Sequence, residues 1–160
     1  MASNTMSGDH TNPMAVNERV ILLVEDDPDH EALTIRALRK ANIANNIRVA
    51  RDGEEAIQML FGIGENALNQ LPQVMLLDLK LPKIEGLEVL RRIRESDMHR
   101  MLPVVVLTSS DEESDLMRSY KLGVNSYIRK PVNFTDFAEA TRQLGMYWLV
   151  LNEAPPMQLR

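Results

Sequence analysis

From Arg19 onward, short β-branched or leucine-rich runs alternate with segments whose apolar residues recur at helical spacing, five of each. That alternation is the pattern of βα units wound around a parallel sheet, so the chain is expected to have an α/β fold. The runs are "RVILLV", ending at Val24, then "NIRVA", "QVMLLDL", "PVVVLTSS" and "VNSYIR". The third is apolar on both alternations, as a central strand covered on both faces must be. After the first run, Asp27 is placed to cap a helix that has Pro28 at its first position and Leu33, Ala37, Leu38 and Ala41 on one face. A second helix is expected near residues 53–61, followed by the long connection "GIGENALNQLP". "LEVLRRIRES" repeats Leu87, Leu90 and Ile93 at threefold spacing, and "DEESDLMRSYKLG" runs from helix-starting acids to a stop at Gly123. The last helix follows Lys130 and Pro131, carries Phe134, Phe137, Ala138, Thr141, Leu144 and Trp148 as a stripe, and ends by Pro155 and Pro156.

With 160 residues there is room for one core and little else. Residues 1–17, polar and without apolar period, read as a flexible N-terminal tail; 18–151 form the folded unit and 152–160 a C-terminal tail. Cysteine is absent, which removes disulfides, thiolate metal sites and cysteine nucleophiles together. A formal charge of −5 argues against a nucleic-acid partner, because phosphate-backbone affinity comes from lysine and arginine. No apolar stretch approaches the ~20 residues of a membrane span, and there is no leader-like N-terminus, so no membrane and a cytoplasmic setting are expected.

Open parallel sheets bind ligands outside the carboxyl ends of their strands. Here that edge carries Glu25 and Asp26 after the first strand, Asp78 at the third, Thr108 with Ser109 at the fourth and Lys130 after the fifth. Two carboxylates about 4 Å apart repel by on the order of 4 kcal/mol at an effective dielectric near 20, so the cluster calls for a cation. Oxygen ligands without histidine or cysteine favour a hard ion, and Mg²⁺ completes its shell with waters and phosphate oxygens. Lys130 can pair with Asp78 and then with a phosphate oxygen, and the Thr108 hydroxyl can donate to another. Ion, lysine and hydroxyl together neutralise what an in-line phosphoryl transfer to Asp78 must neutralise. Taken singly, an acidic run is a solvated loop or cap, a strand threonine a strand former and "KP" a turn. Their joint occurrence at four strand ends, in order, points to a site. Asp27 and Asp29 keep the ordinary reading of cap and first-turn acid.

The set "LLVEDD", "LLDLKLPKIEG", "VVVLTSS" and "SYIRKP" closely resembles the receiver domain of two-component response regulators, over roughly residues 18–150. The resemblance implies a doubly wound, flavodoxin-like five-stranded parallel sheet of order 2-1-3-4-5. It implies Glu25 and Asp26 as the acid pair, Asp78 as phosphoacceptor and metal ligand, and Lys80 as a ligand through its backbone carbonyl. It further implies Thr108 as switch hydroxyl, Tyr127 as switch aromatic, Lys130 as phosphate partner, and a cis bond between Lys130 and Pro131. The acid pair is Glu-Asp where Asp-Asp is usual, which changes reach but not charge. Lys80 and Ser110 flank the phosphate and are expected to tune its hydrolysis. "RDGEEAI", "FGIGEN", "VNSYIRKPVNF" and "QLGMYWLVLNEAPP" resemble the small regulators partnered with phytochrome-type sensor histidine kinases.

The implied switch draws Thr108 toward the phosphate and turns Tyr127 inward, reshaping the face of helix four, strand five and helix five. No output domain is expected, so the output is a presented surface or onward transfer to a histidine phosphotransfer protein. The run from Met146 to Leu151 is apolar all round, which points to a homodimer through that face; packing of Trp148 on the core is the alternative. A dehalogenase-type enzyme would need an acid where Lys80 stands, and a flavodoxin-type phosphate cradle would be repelled by "EDDPD". A receiver fold serving as an unphosphorylated scaffold remains the competing reading, although no site residue is missing.

Overall fold

A computed structural model describes residues 19–41, 46–130 and 133–147. The elements run β1 (Val20–Val24), α1 (Pro28–Lys40), β2 (Asn46–Ala50), α2 (Gly53–Leu60), β3 (Val74–Leu77), α3 (Gly86–Glu95), β4 (Val104–Thr108), α4 (Glu113–Lys121), β5 (Ser126–Arg129) and α5 (Phe134–Gly145). The strands form one sheet of order β2-β1-β3-β4-β5, every pair parallel. This is the expected doubly wound arrangement. The order reverses between β1 and β3, which opens a crevice at their carboxyl ends.

Alternation along each central strand divides the interior into two layers. Leu22, Val24, Met75, Leu77, Val104 and Val106 point to the side covered by α2 and α3, against Met59, Leu60, Leu90 and Ile93. Ile21, Leu23, Leu76 and Val105 point to the other side, against Leu38 of α1 and Leu144 of α5. β3 is buried along its whole length, whereas the edge strands β2 and β5 are half-covered. The helix signals hold in detail. Asp27 caps α1 with Pro28 at its first position and Gly123, at φ 77°, follows α4, both as expected, and the structure adds an Asp52 cap on α2.

Some boundaries move. β3 ends at Leu77, so Asp78 stands one residue beyond the last paired position, its N–H still donating to the Val24 carbonyl of β1 at 3.1 Å. α5 starts at Phe134 behind an Asn133 cap, and the acids Asp111 and Glu112 precede α4. Pro131, and with it the expected cis bond, lies outside the described residues, as do Trp148 and the chain after it. No helix among the described residues is long and apolar enough to cross a membrane.

The turn after β3 is held by close backbone contact. The Gly86 N–H donates to the Leu79 carbonyl at 2.9 Å, and a Cβ on Gly86 would meet the Asp78 carbonyl and lie 2.6 Å from the Leu79 Cα. Alanine in the first turn of a helix would by propensity gain up to about 1 kcal/mol over glycine. Overpacking against backbone that cannot move aside costs about 1–3 kcal/mol and acts in the opposite direction. Gly86→Ala is therefore expected to lower stability by about 1–2 kcal/mol net in urea or thermal unfolding. A stabilised variant would show that the turn is not packed this way.

Candidate functional site

Four strand ends deliver side chains to the crevice. Glu25 and Asp26 follow β1, Asp78 follows β3, Thr108 ends β4, and Lys130 follows β5. The Lys130 Nζ donates to Glu25 Oε2 at 2.8 Å and to Asp78 Oδ2 at 3.0 Å. Thr108 Oγ1 donates to the other Asp78 oxygen at 3.0 Å, and the Lys80 N–H donates to that same oxygen at 3.1 Å. Glu25, Asp78, Thr108 and Lys130 are all buried, Thr108 completely. Asp26 is exposed, yet one oxygen from each of Glu25, Asp26 and Asp78 falls within a mutual 4.8 Å. These three are a donor set for a hard cation: carboxylate oxygens, one exposed edge, and no soft ligand among them.

Burial pushes the Glu25 carboxyl up to about 7, despite the opposing pull of its hydrogen bond to Lys130. Asp27, four-tenths exposed, behaves otherwise. Its Oδ1 accepts the His30 and Asp29 backbone N–H groups, which lower its pKa, and it belongs to the helix cap as the sequence predicts. Asp29 lies in the first turn of α1, as the sequence predicts.

Tyr127 and Thr108 are joined through one residue. The Ser110 N–H donates to Thr108 Oγ1 at 3.2 Å, and the Tyr127 hydroxyl donates to the Ser110 carbonyl at 3.3 Å. Ser110 Oγ in turn donates to Asp115 Oδ2 at 2.6 Å in the first turn of α4. Any displacement of Thr108 toward Asp78 thus pulls on a loop that touches both the aromatic and α4. Burial raises the Tyr127 phenol, in keeping with a ring lodged partly against the core.

The geometry brings together Glu25, Asp26, Asp78, Thr108 and Lys130, leaves Ser109 exposed, and adds one side chain that was not singled out. His30 Nδ1 lies 2.9 Å from Lys130 Nζ. The available signal was its place three residues after the Asp27 cap, where a first-turn side chain lies beside the end of β1. The Ser110–Asp115 bond was equally unmarked.

The chain matches the family model "Response regulator receiver domain" over residues 21–142. It is 42% identical over 136 residues to the "Probable methanogenesis regulatory protein FilR2" of Methanothrix harundinacea, covering 85% of this chain and 87% of the relative. It is 38% identical over 141 residues to "Response regulator Rcp1" of Synechocystis, covering 88% and 93%. The Mn²⁺-bound form of Rcp1 superposes with a TM-score of 0.81 over 86% of this chain and 99% of that one, at 37% identity. The phosphorylated cyanobacterial phytochrome response regulator RcpA gives 0.83 at 36% identity, over 87% and 99%.

A carboxyl held near 7 is neutral below that pH and ionised above it. Affinity for a divalent ion is accordingly expected to weaken as pH falls through about 7, and Glu25→Gln is expected to flatten that dependence. Calorimetric titration with Mg²⁺ on either side of neutrality measures both, and a wild-type affinity indifferent to pH would contradict the assignment.

Proposed function

The chain belongs to the family of response regulator receiver domains, and on that premise we propose that it accepts a phosphoryl group on Asp78 from a phytochrome-type sensor histidine kinase. As a response regulator it is a signalling protein and not an enzyme in the ordinary sense. The observation that carries the reading is the environment of Asp78. Its carboxylate is buried at the strand-order reversal, with a lysine ammonium on one oxygen and a threonine hydroxyl on the other.

Mg²⁺ would be held by Glu25, Asp26, Asp78 and the Lys80 backbone carbonyl, a reading supported by the three converging carboxylates and by the Mn²⁺-bound relative. When bound, the ion supplies positive charge to the phosphoryl oxygens. An Asp78 oxygen attacks phosphorus, the P–N bond to the donor histidine breaks, and the imidazole leaves with the electron pair of that bond. Lys130 moves one N–H from the carboxylate to a phosphoryl oxygen, and Thr108 turns its hydroxyl to another. Ser110 and Tyr127 follow Thr108 and reshape the face of α4, β5 and α5. Hydrolysis of the acyl phosphate, assisted by the chain itself and tuned by Lys80 and Ser110, resets the switch. Onward transfer to a histidine phosphotransfer protein is the other route of output.

We place the protein in the cytoplasm, with residues 18–151 as the receiver unit. The scaffold reading is disfavoured because Glu25, Asp78, Thr108 and Lys130 are present and mutually bonded, with the Asp26 carboxylate close by. Incubation with acetyl phosphate and Mg²⁺ is expected to add one phosphoryl mass to the wild type and none to Asp78→Asn, read by intact mass. An equal gain in the variant would move the acceptor elsewhere.

We further read the chain as a homodimer through the α4-β5-α5 face. Supporting this are Met117 and Tyr120 on α4 and Tyr147 beyond α5, each more than half exposed, with Met146 beside Tyr147. Sedimentation velocity is expected to give a dimer at micromolar concentration. A monomer throughout, with or without beryllofluoride, would remove that interface.

A further inference from the structure

We propose that His30 is a positioning residue for the Lys130 ammonium, giving its third N–H an uncharged acceptor so that the ammonium stays at Asp78 when a divalent ion takes the carboxylates. The proposal deepens the reading of Asp78 as phosphoacceptor and rests on it.

An ammonium has three N–H donors and no lone pair. In Lys130 the three go to Glu25 Oε2 at 2.8 Å, Asp78 Oδ2 at 3.0 Å and His30 Nδ1 at 2.9 Å. Because the lysine can only donate, Nδ1 must accept, which places the ring proton of the neutral imidazole on Nε2. The ring is held from several directions. It stacks on Phe137 of α5, with centroids 6.2 Å apart and an interplanar angle of 27°, and Phe137 is itself buried. Its backbone is fixed in the first turn of α1, with its N–H on Asp27 Oδ1 at 3.3 Å and its carbonyl accepting from Thr34 Oγ1 at 2.8 Å. Glu25 Oε1 and Asp27 Oδ2 are the other charged groups near the ring, 3.6 and 3.7 Å from Nδ1 and beyond hydrogen-bond distance.

The chemistry explains why a neutral acceptor suits this position. Two of the three partners of Lys130 are also two of the three carboxylates that converge to hold a cation. A divalent ion arriving there competes for those oxygens and repels the ammonium, at the moment when Lys130 is needed beside the incoming phosphoryl group. A third carboxylate in place of His30 would deepen the crowding and draw the lysine away from Asp78. An apolar residue would leave one N–H without a partner once the ion had loaded. The imidazole nitrogen keeps the ammonium within reach without adding charge, and the Phe137 stack keeps the nitrogen aimed.

The test compares wild type, His30→Ala and His30→Asn, whose side-chain oxygen stands near the position of Nδ1. With Mg²⁺ saturating, the rate of phosphorylation by acetyl phosphate is expected to drop on the order of tenfold in His30→Ala. His30→Asn is expected to recover most of that loss, with melting temperatures of all three confirming the fold. An alanine variant as fast as wild type, or an asparagine variant as slow as alanine, overturns the proposal. A second readout needs no phosphoryl transfer: long-range proton–nitrogen spectra of the wild type are expected to show the His30 proton on Nε2. A proton on Nδ1 overturns the hydrogen bond itself. Failure of the wild type to take up phosphate on Asp78 would instead sink the functional reading, leaving the tautomer to decide whether His30 holds the lysine.

Discussion

Lys130 is the keystone of the sheet edge, because it is the cation that lets Glu25 and Asp78 be buried side by side. At an effective dielectric near 20, two carboxylates about 4 Å apart repel by on the order of 4 kcal/mol, before any desolvation is counted. The ammonium between them, 2.8 and 3.0 Å away, converts that repulsion into two charge-assisted hydrogen bonds. Desolvation still shows. Glu25 is pushed up to about 7 even beside a cation, so the pairing does not fully compensate its burial. A site in this condition is strained electrostatically toward accepting more positive charge, which is what a divalent ion supplies.

The fold tolerates such an edge because its interior is large relative to the site. Each buried leucine, isoleucine or valine contributes about 1.5–3 kcal/mol, and β1, β3 and β4 each place such residues on both faces of the sheet. Those strands were legible in the sequence for the same reason, since residues such as Leu22, Leu76 and Val105 leave no polar face to expose. The helices were legible through their ends. Asp27 with Pro28, and Gly123 after α4, act over a few residues of chain and need no tertiary partner to be recognised.

What could not be read along the chain are contacts whose partners are far apart in it. Lys130 reaches His30 across 100 positions, and no local pattern marks the histidine. The dual role of Lys130, on Glu25 as well as Asp78, follows only once β1 is known to sit beside β3 and the end of β5 to lean over both. The Arg94 guanidinium tells the same story on a structural scale. It donates to the carbonyls of Arg100, Leu102 and Gly123 and to the Asn125 side chain, tying α3 to the entries of β4 and β5 with no carboxylate involved. Its sequence context, "RRIRES", reads simply as a charged helix face.

An internal cation also changes what ion binding does to the structure. If the crevice held only carboxylates, a metal would simply fill it, and the rest of the chain would have little reason to respond. With Lys130 already on two of the oxygens and on His30, an ion at the same carboxylates would compete with the ammonium without expelling it, and a new anion on Asp78 would compete for the same N–H groups. A bonded series runs from Asp78 through Thr108 to Ser110, and from Ser110 to Tyr127 and Asp115. The first link has the Thr108 hydroxyl donating to Asp78, so a phosphoryl oxygen offered in place of that carboxylate redirects the same donor without leaving it unpaired. Because the hydroxyl also accepts from the Ser110 N–H, redirecting it would act on the residue that leads into α4. Competition among cations at the sheet edge would thus couple a charge change on one aspartate to Ser110 and, through it, to Tyr127 and the first turn of α4.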